Sequence, residues 1–91
     1  MNAKEVPEIA EVCGMLGDAT RLGIVALLAG GRKSVGALCE KMGLPQPTVS
    51  HHLALLRHTG VVDRQRKGKQ MIYSLDRKRL APLKKFLAKM K

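Results

Sequence analysis

Residues 44–57 constrain this chain more than any other stretch. Pro45 and Pro47 open it and no breaker follows until Gly60, so the spacing predicts a helix that starts beside Gln46 or Thr48 and reaches at least Arg57. Pro47 suits a first helical position, where an N–H would lack a partner anyway. Val49, Leu53 and Leu56 recur at i, i+4 and i+7 and define one apolar face. Thr48, Ser50 and His51 occupy the opposite face, with Gln46 at the start. A rigid helix with an apolar rear and a front of neutral hydrogen-bonding groups fits a DNA major groove. Taken alone, the same pattern also describes an ordinary amphipathic surface helix.

The flanking segments narrow that choice. Residues 34–43 read as a short helix capped by Ser34, with Val35, Leu38 and Met42 facing inward and Gly43 just past the end. Helix, glycine-containing turn, helix is the helix-turn-helix layout, with the second helix as the reader. Residues 61–66 and 70–75 are two β-capable runs joined through Lys67, Gly68 and Lys69, a hairpin with a cationic tip. The expected fold class is therefore mainly α with a small β-hairpin (α+β), a winged helix-turn-helix.

Charge points the same way. The 91 residues carry 17 Lys and Arg against 7 Asp and Glu, a formal +10. Residues 1–31 hold only Lys4 and Arg21 against Glu5, Glu8, Glu11 and Asp18, while every other cation lies beyond them, opposed only by Glu40, Asp63 and Asp76. Such asymmetry favours a polyanion as the partner of the C-terminal two thirds. A chain of this length forms one small domain, residues 1–91, with a core that dimerisation would usefully supplement. The longest apolar run, residues 23–31, is too short to span a bilayer, and Lys4, Glu5, Pro7 and Glu8 do not make a signal peptide. The expectation is a cytoplasmic protein with no membrane partner, whose cysteines are thiols.

In chain order, residues 1–7 read as a loose arm and the first helix as running from about Pro7 to Leu16, with Ile9, Val12, Cys13 and Leu16 on its apolar face. Asp18 caps a second helix whose inward positions are Leu22, Val25, Ala26 and Leu28, ended by Gly30 and Gly31; Arg32 and Lys33 follow in a loop. Because proline inside a helix is costly, a turn is expected over residues 76–80 and a last helix from near Pro82 to about Met90. Leu83, Phe86, Leu87 and Met90 form its apolar stripe, with Lys84, Lys85, Lys89 and Lys91 on the other faces. In so small a chain an exposed stripe calls for a partner.

The ordered set formed by residues 16–22 (LGDATRL), 34–38 (SVGAL), 46–53 (QPTVSHHL), Leu56 and Arg57, 60–62 (GVV) and 66–70 (RKGKQ) resembles the ArsR/SmtB-type bacterial repressors over about two thirds of the chain. That resemblance implies a homodimeric repressor joined through its first and last helices, here Ile9, Val12, Leu16, Leu83, Phe86, Leu87 and Met90, with residues 76–91 as the dimerisation segment. A two-fold dimer presents two reading helices to half-sites roughly 34 Å apart, so the DNA partner is a pseudo-palindromic duplex operator. Family members often hold a metal through Cys-x-Cys in the helix before the reader, but only Cys39 matches, with Lys41 in place of the second cysteine. Others use Asp and His on the last helix, and residues 82–91 contain neither. Both familiar metal sites are broken, and no metal and no cofactor is expected.

Base reading falls to Gln46, Thr48, Ser50 and His51, of which Gln46 can pair bidentately with adenine and Thr48 can offer its methyl to thymine. Phosphate and wing contacts fall to Arg57, Arg64, Arg66, Lys67 and Lys69. His52 lies nearer the buried side of the reader and suits a structural, hydrogen-bonded role. Cys13, on an apolar stripe, reads as core packing, and Cys39 and Cys13 are the sensing candidates. The acids show no paired arrangement and phosphate-binding glycine loops are missing, so the chain is not expected to be an enzyme. Two alternatives stay open: a thiol-based or metal-responsive repressor using Cys39 and Cys13, and a winged-helix module that binds a protein.

Overall fold

Short polar side chains hold the free N–H groups at most of the helix starts. In the computed structural model, which describes residues 2–90, α1 spans Glu5–Leu16, α2 Ala19–Ala29, β1 Lys33–Ser34, α3 Val35–Met42, α4 Gln46–His58, β2 Val62–Lys67, β3 Gln70–Leu75 and α5 Arg77–Lys89. Met1 and Lys91, assigned above to the loose arm and to a polar face of the last helix, lie outside the described residues. Asp18 Oδ2 accepts the Arg21 N–H at 3.0 Å and Ser34 Oγ the Ala37 N–H at 3.1 Å, both as expected of these caps. The α4 helix has no side-chain cap; Pro47 in its first turn removes one N–H that would otherwise be orphaned.

The core lies where α2, α3, α4 and the sheet meet. Val49, Leu53 and Leu56 are each 0% exposed, so the stripe read from the sequence is the buried face of α4. Ile24, Leu28, Leu38, Val61 and Tyr73 close around them. Truncating a leucine in such a core typically costs about 2–5 kcal/mol, because lost burial is compounded by a cavity. The α4 helix ends in a Schellman turn: the Gly60 N–H donates to Arg57 O and the Val61 N–H to Leu56 O. Gly60 takes φ +80° there, which a side chain would strain.

The hairpin becomes part of a three-stranded antiparallel sheet of order β1-β3-β2. Lys33, expected in a loop, and Ser34, expected as the cap of α3, pair with Tyr73 and Ile72; two residues are too few to show strand periodicity. Arg64 faces Tyr73, Arg66 faces Met71 and Lys67 faces Gln70. That register leaves Gly68-Lys69 as a two-residue turn, with Gly68 at φ +61° in its first central position, the II′ arrangement.

Other expectations need correction. The first helix begins at Glu5, not near Pro7: Asn2 Oδ1 accepts the Lys4 and Glu5 N–H groups, and Pro7 falls in the first turn, where its missing donor costs nothing. The last helix does not start near Pro82; it runs unbroken from Arg77 with Pro82 inside it. Asp76 Oδ1 accepts the Lys78 and Arg79 N–H groups at 3.0 and 3.3 Å, and Leu80 and Leu83 pack on the core, which together offset the proline. In α2, Ile24 and Leu28 point inward, whereas Leu22 is 50% exposed and Ala26 is exposed. Residues 22–29 are all apolar or glycine, so no polar side existed to set the phase. Cys13 is exposed and not part of the core.

Candidate nucleic-acid interface

The α3–turn–α4 unit is tied to the start of α2, where Asp18 and Arg21 meet His52 of α4. Arg21, in the first turn of α2, donates from Nε to Met15 O at 2.8 Å and from Nη1 to His52 Nδ1 at 3.3 Å. Asp18 Oδ2 lies 3.8 Å from the same His52 nitrogen. The Arg21 main-chain N–H that donates to Asp18, with further help from the Arg21 guanidinium and His52, holds its carboxyl below the ordinary carboxylate range despite some desolvation. The LGDATRL stretch thus has a physical purpose, fastening the start of α2 to the middle of α4. His52 fills the structural role anticipated for it.

In front of α4 the hairpin folds over to make an open cleft of about 480 Å³. Gln46, Ser50, Ala54 and Arg57 line its α4 side, and Arg64, Arg66, Lys69, Gln70, Met71 and Tyr73 its hairpin side. The sheet register explains the convergence. Side chains alternate along a strand, so Arg64 and Arg66 share a face with the opposed Tyr73 and Met71. Tyr73 is only 6% exposed and seats that face on the body, so both arginines lean over the cleft. Among the described residues no carboxylate lines it, and its charged side chains are all cationic.

Of the residues assigned to base reading, Gln46 and Ser50 lie in this cleft. His51 is exposed and Thr48 half-buried on α4, outside the lining. The His51 ring meets the His52 ring edge-on, 5.4 Å between centroids. Of the phosphate candidates, Arg57, Arg64, Arg66 and Lys69 come together, while Lys67 is exposed at the end of β2. Ser34 and Gly36 at the start of α3, and Gln70, also line the cleft and were not singled out from the sequence. Gln70 was read only as the first residue of the second strand, and Ser34, read as a cap, is paired with β3 through β1.

The residues assigned to a two-fold contact divide. Val12 is 1% exposed and Ile9 7%, so both are buried within the protomer, a correction to their assignment to the two-fold contact. Leu16 and Leu83 are half-buried against the core, and Phe86 is half-buried. Leu87 and Met90 are 54% and 60% exposed, with Met90 just beyond the last helical residue, and Val6 of α1, overlooked in the sequence, is 52% exposed. Cys39 is half-buried beside the core, and both cysteines are free thiols. Among the described residues no three His, Cys, Asp or Glu side chains group as metal ligands, and no single helix is long and apolar enough to cross a membrane.

Comparison with known proteins agrees with this geometry. Residues 18–64 match the family described as "Bacterial regulatory protein, arsR family". The biofilm growth-associated repressor of Xylella fastidiosa is 38% identical over 80 residues, which cover 88% of this chain and 70% of that protein. Among solved structures, the transcriptional repressor BigR from Xylella fastidiosa superposes with a TM-score of 0.79 at 32% identity, covering 97% of this chain and 91% of that one. A homodimeric winged helix-turn-helix DNA-binding domain from Mycobacterium bovis gives a TM-score of 0.75 at 31% identity, covering 94% of this chain and 82% of that one.

Proposed function

The chain belongs to the arsR family of bacterial regulatory proteins, and on that premise we propose that it is a cytoplasmic, homodimeric transcriptional repressor that binds a pseudo-palindromic DNA duplex. One observation carries the reading: a cleft in which the polar front of α4 meets Arg57, Arg64, Arg66 and Lys69, with no acid among the described residues that line it. The cations neutralise phosphates and supply affinity without sequence information. Gln46, Thr48, Ser50 and His51 read base edges from α4 in the major groove, while Lys67 and Lys69 at the hairpin tip approach the neighbouring backbone or minor groove.

Residues 1–91 form one such domain, with the α1–α5 side as the two-fold contact. Val6, Leu87 and Met90, which are exposed, and the half-buried Phe86 are its apolar candidates, supported also by the homodimeric relative from Mycobacterium bovis. Repression, rather than activation, is supported by what the relatives in Xylella are called.

Fluorescence anisotropy with a duplex from upstream of the protein's own gene, beside a scrambled duplex over a salt series, tests the reading. Tight binding to the first duplex by two protomers is expected. Lys69→Ala should weaken both duplexes equally and lower the log–log salt slope by about one. A change in the preferred sequence would remove Lys69 from the phosphate set, and saturable binding to a protein with no duplex preference would overturn the repressor reading.

A further inference from the structure

The turn that ends α4 is fastened to the opposite side of the molecule by one side chain. Arg79, in the first turn of α5, donates from Nε to Thr59 O at 2.9 Å, from Nη1 to Glu8 O at 3.2 Å and from Nη2 to Glu11 Oε1 at 2.6 Å. A single guanidinium therefore touches the C-terminal end of α4 and two successive turns of α1 while its own backbone sits in α5. Thr59 O is one of the carbonyls a helix end leaves without an intrahelical partner, and Arg79 satisfies it. Its stem crosses Gly60, where a Cβ would lie 3.7 Å from Arg79 Cγ and Cδ. The start of α5 is joined to the same turn through its main chain, with the Asp76 N–H donating to Val61 O at 2.9 Å.

Arg79 differs in kind from the cations of the cleft. It is not among the residues lining the cleft, its three bonds are made within the protein, and its planar fork fits three acceptors in fixed directions. We propose that Arg79 is a positioning residue for DNA recognition: it sets the angle of α4 against the α1–α5 pair and so sets which half-site spacing the dimer accepts. This rests on the DNA-binding reading above. In a two-fold dimer joined on the α1–α5 side, the separation and tilt of the two reading helices follow from the angle each α4 makes with its own α1 and α5. A small rotation at Thr59 displaces the base-reading residues by the length of the helix. Any movement of α1 along α5 reaches α4 by the same link.

The test starts by selecting a preferred duplex from a random library with the wild-type chain. Versions with one base pair added or removed between half-sites, and a scrambled duplex, are then titrated over one salt series with wild type, R79K and R79Q. Both variants should lose about ten-fold on the preferred duplex, the size expected for a lost hydrogen bond to a charged group. They should bind the scrambled duplex nearly as wild type does, and the spread of affinities among the three spacings should narrow. Lysine keeps the charge but cannot hold three acceptors, so R79K should not rescue. It also keeps the stem and carries the comparison should R79Q fail to fold.

A purely destabilising change lowers the active fraction for every duplex alike, so unchanged ratios between duplexes would overturn the proposal. Full rescue by R79K would overturn it as well, by showing that charge alone matters. An equal loss on all duplexes with a shallower salt slope would make Arg79 a phosphate contact instead. If the wild type selects no sequence, the repressor reading falls and takes this inference with it; if the wild type selects and both variants match it, only the inference falls.

Discussion

The cleft between α4 and the hairpin brings together Arg57, Arg64, Arg66 and Lys69 without a carboxylate, whereas the α1–α5 side sets an acidic helix against a basic one around apolar side chains. Glu5, Glu8 and Glu11 lie on α1, and α5 carries Arg77, Lys78, Arg79, Lys84, Lys85 and Lys89 with no acid. Among the described residues the cleft cations form no ion pair, so their effects on affinity should add. On the α1–α5 side, Arg79 and the half-buried Leu83 and Phe86 act together, so geometry depends on a few residues. The difference teaches that affinity and register have separate seats here, and that cation counts in the sequence speak only to the first.

The largest test of this division is Leu87→Glu. A charge at this exposed apolar position should split the dimer, seen as half the mass in sedimentation, and cost about 100-fold on the full operator because the second half-site is no longer tethered. Binding to a scrambled duplex should change far less, and a variant that stays dimeric would move the two-fold contact elsewhere. Next in size is Gln46→Ala, expected to cost about 1–3 kcal/mol on the preferred duplex alone. An equal loss on scrambled DNA would remove Gln46 from the readers and blur the contrast between cleft side chains that specify and those that only attract.

The smallest effect belongs to Asp18, which lies in neither region but holds α4 from below. Its folded-state pKa is lowered, chiefly by the Arg21 N–H, so the stability it contributes is complete above its unfolded pKa of about 4 and is lost as pH falls through the folded value. Urea melts between about pH 6 and 3 should therefore show a shallower acid loss for Asp18→Asn than for wild type, since asparagine accepts the same N–H without titrating. Parallel curves would mean that other acids dominate the acid limb.

Much of this was legible in the residues themselves. The α4 face, the Asp18, Ser34 and Gly43 helix ends and the basic hairpin are local patterns, in which cap chemistry or a period of 3.6 acts within a few residues. The cleft was legible in its residues but not in its register, because a link of Lys67, Gly68 and Lys69 was expected where the structure has a two-residue turn at Gly68. Where local signals ran out, so did the reading. The uniformly apolar α2 had no polar side to fix its rotation, so Leu22 and Ile24 exchanged places, and Cys13 and Val12 could not be told apart on α1 as exposed and buried. Pro82 is an unfavourable local signal that the Asp76 cap and the packing of Leu80 and Leu83 overrule.

What the sequence by itself determined is the unit that meets DNA: two helices about a glycine turn, a hairpin with a cationic tip, and a charge imbalance that assigns that unit a polyanion. Only the tertiary structure decided how the unit is aimed. The Arg21–His52 and Arg79–Thr59 bonds span 31 and 20 residues along the chain, and the link from Arg79 to Glu11 spans 68. Contacts of that length leave no periodic trace in a sequence, because they exist only once the core has brought distant elements within hydrogen-bond reach.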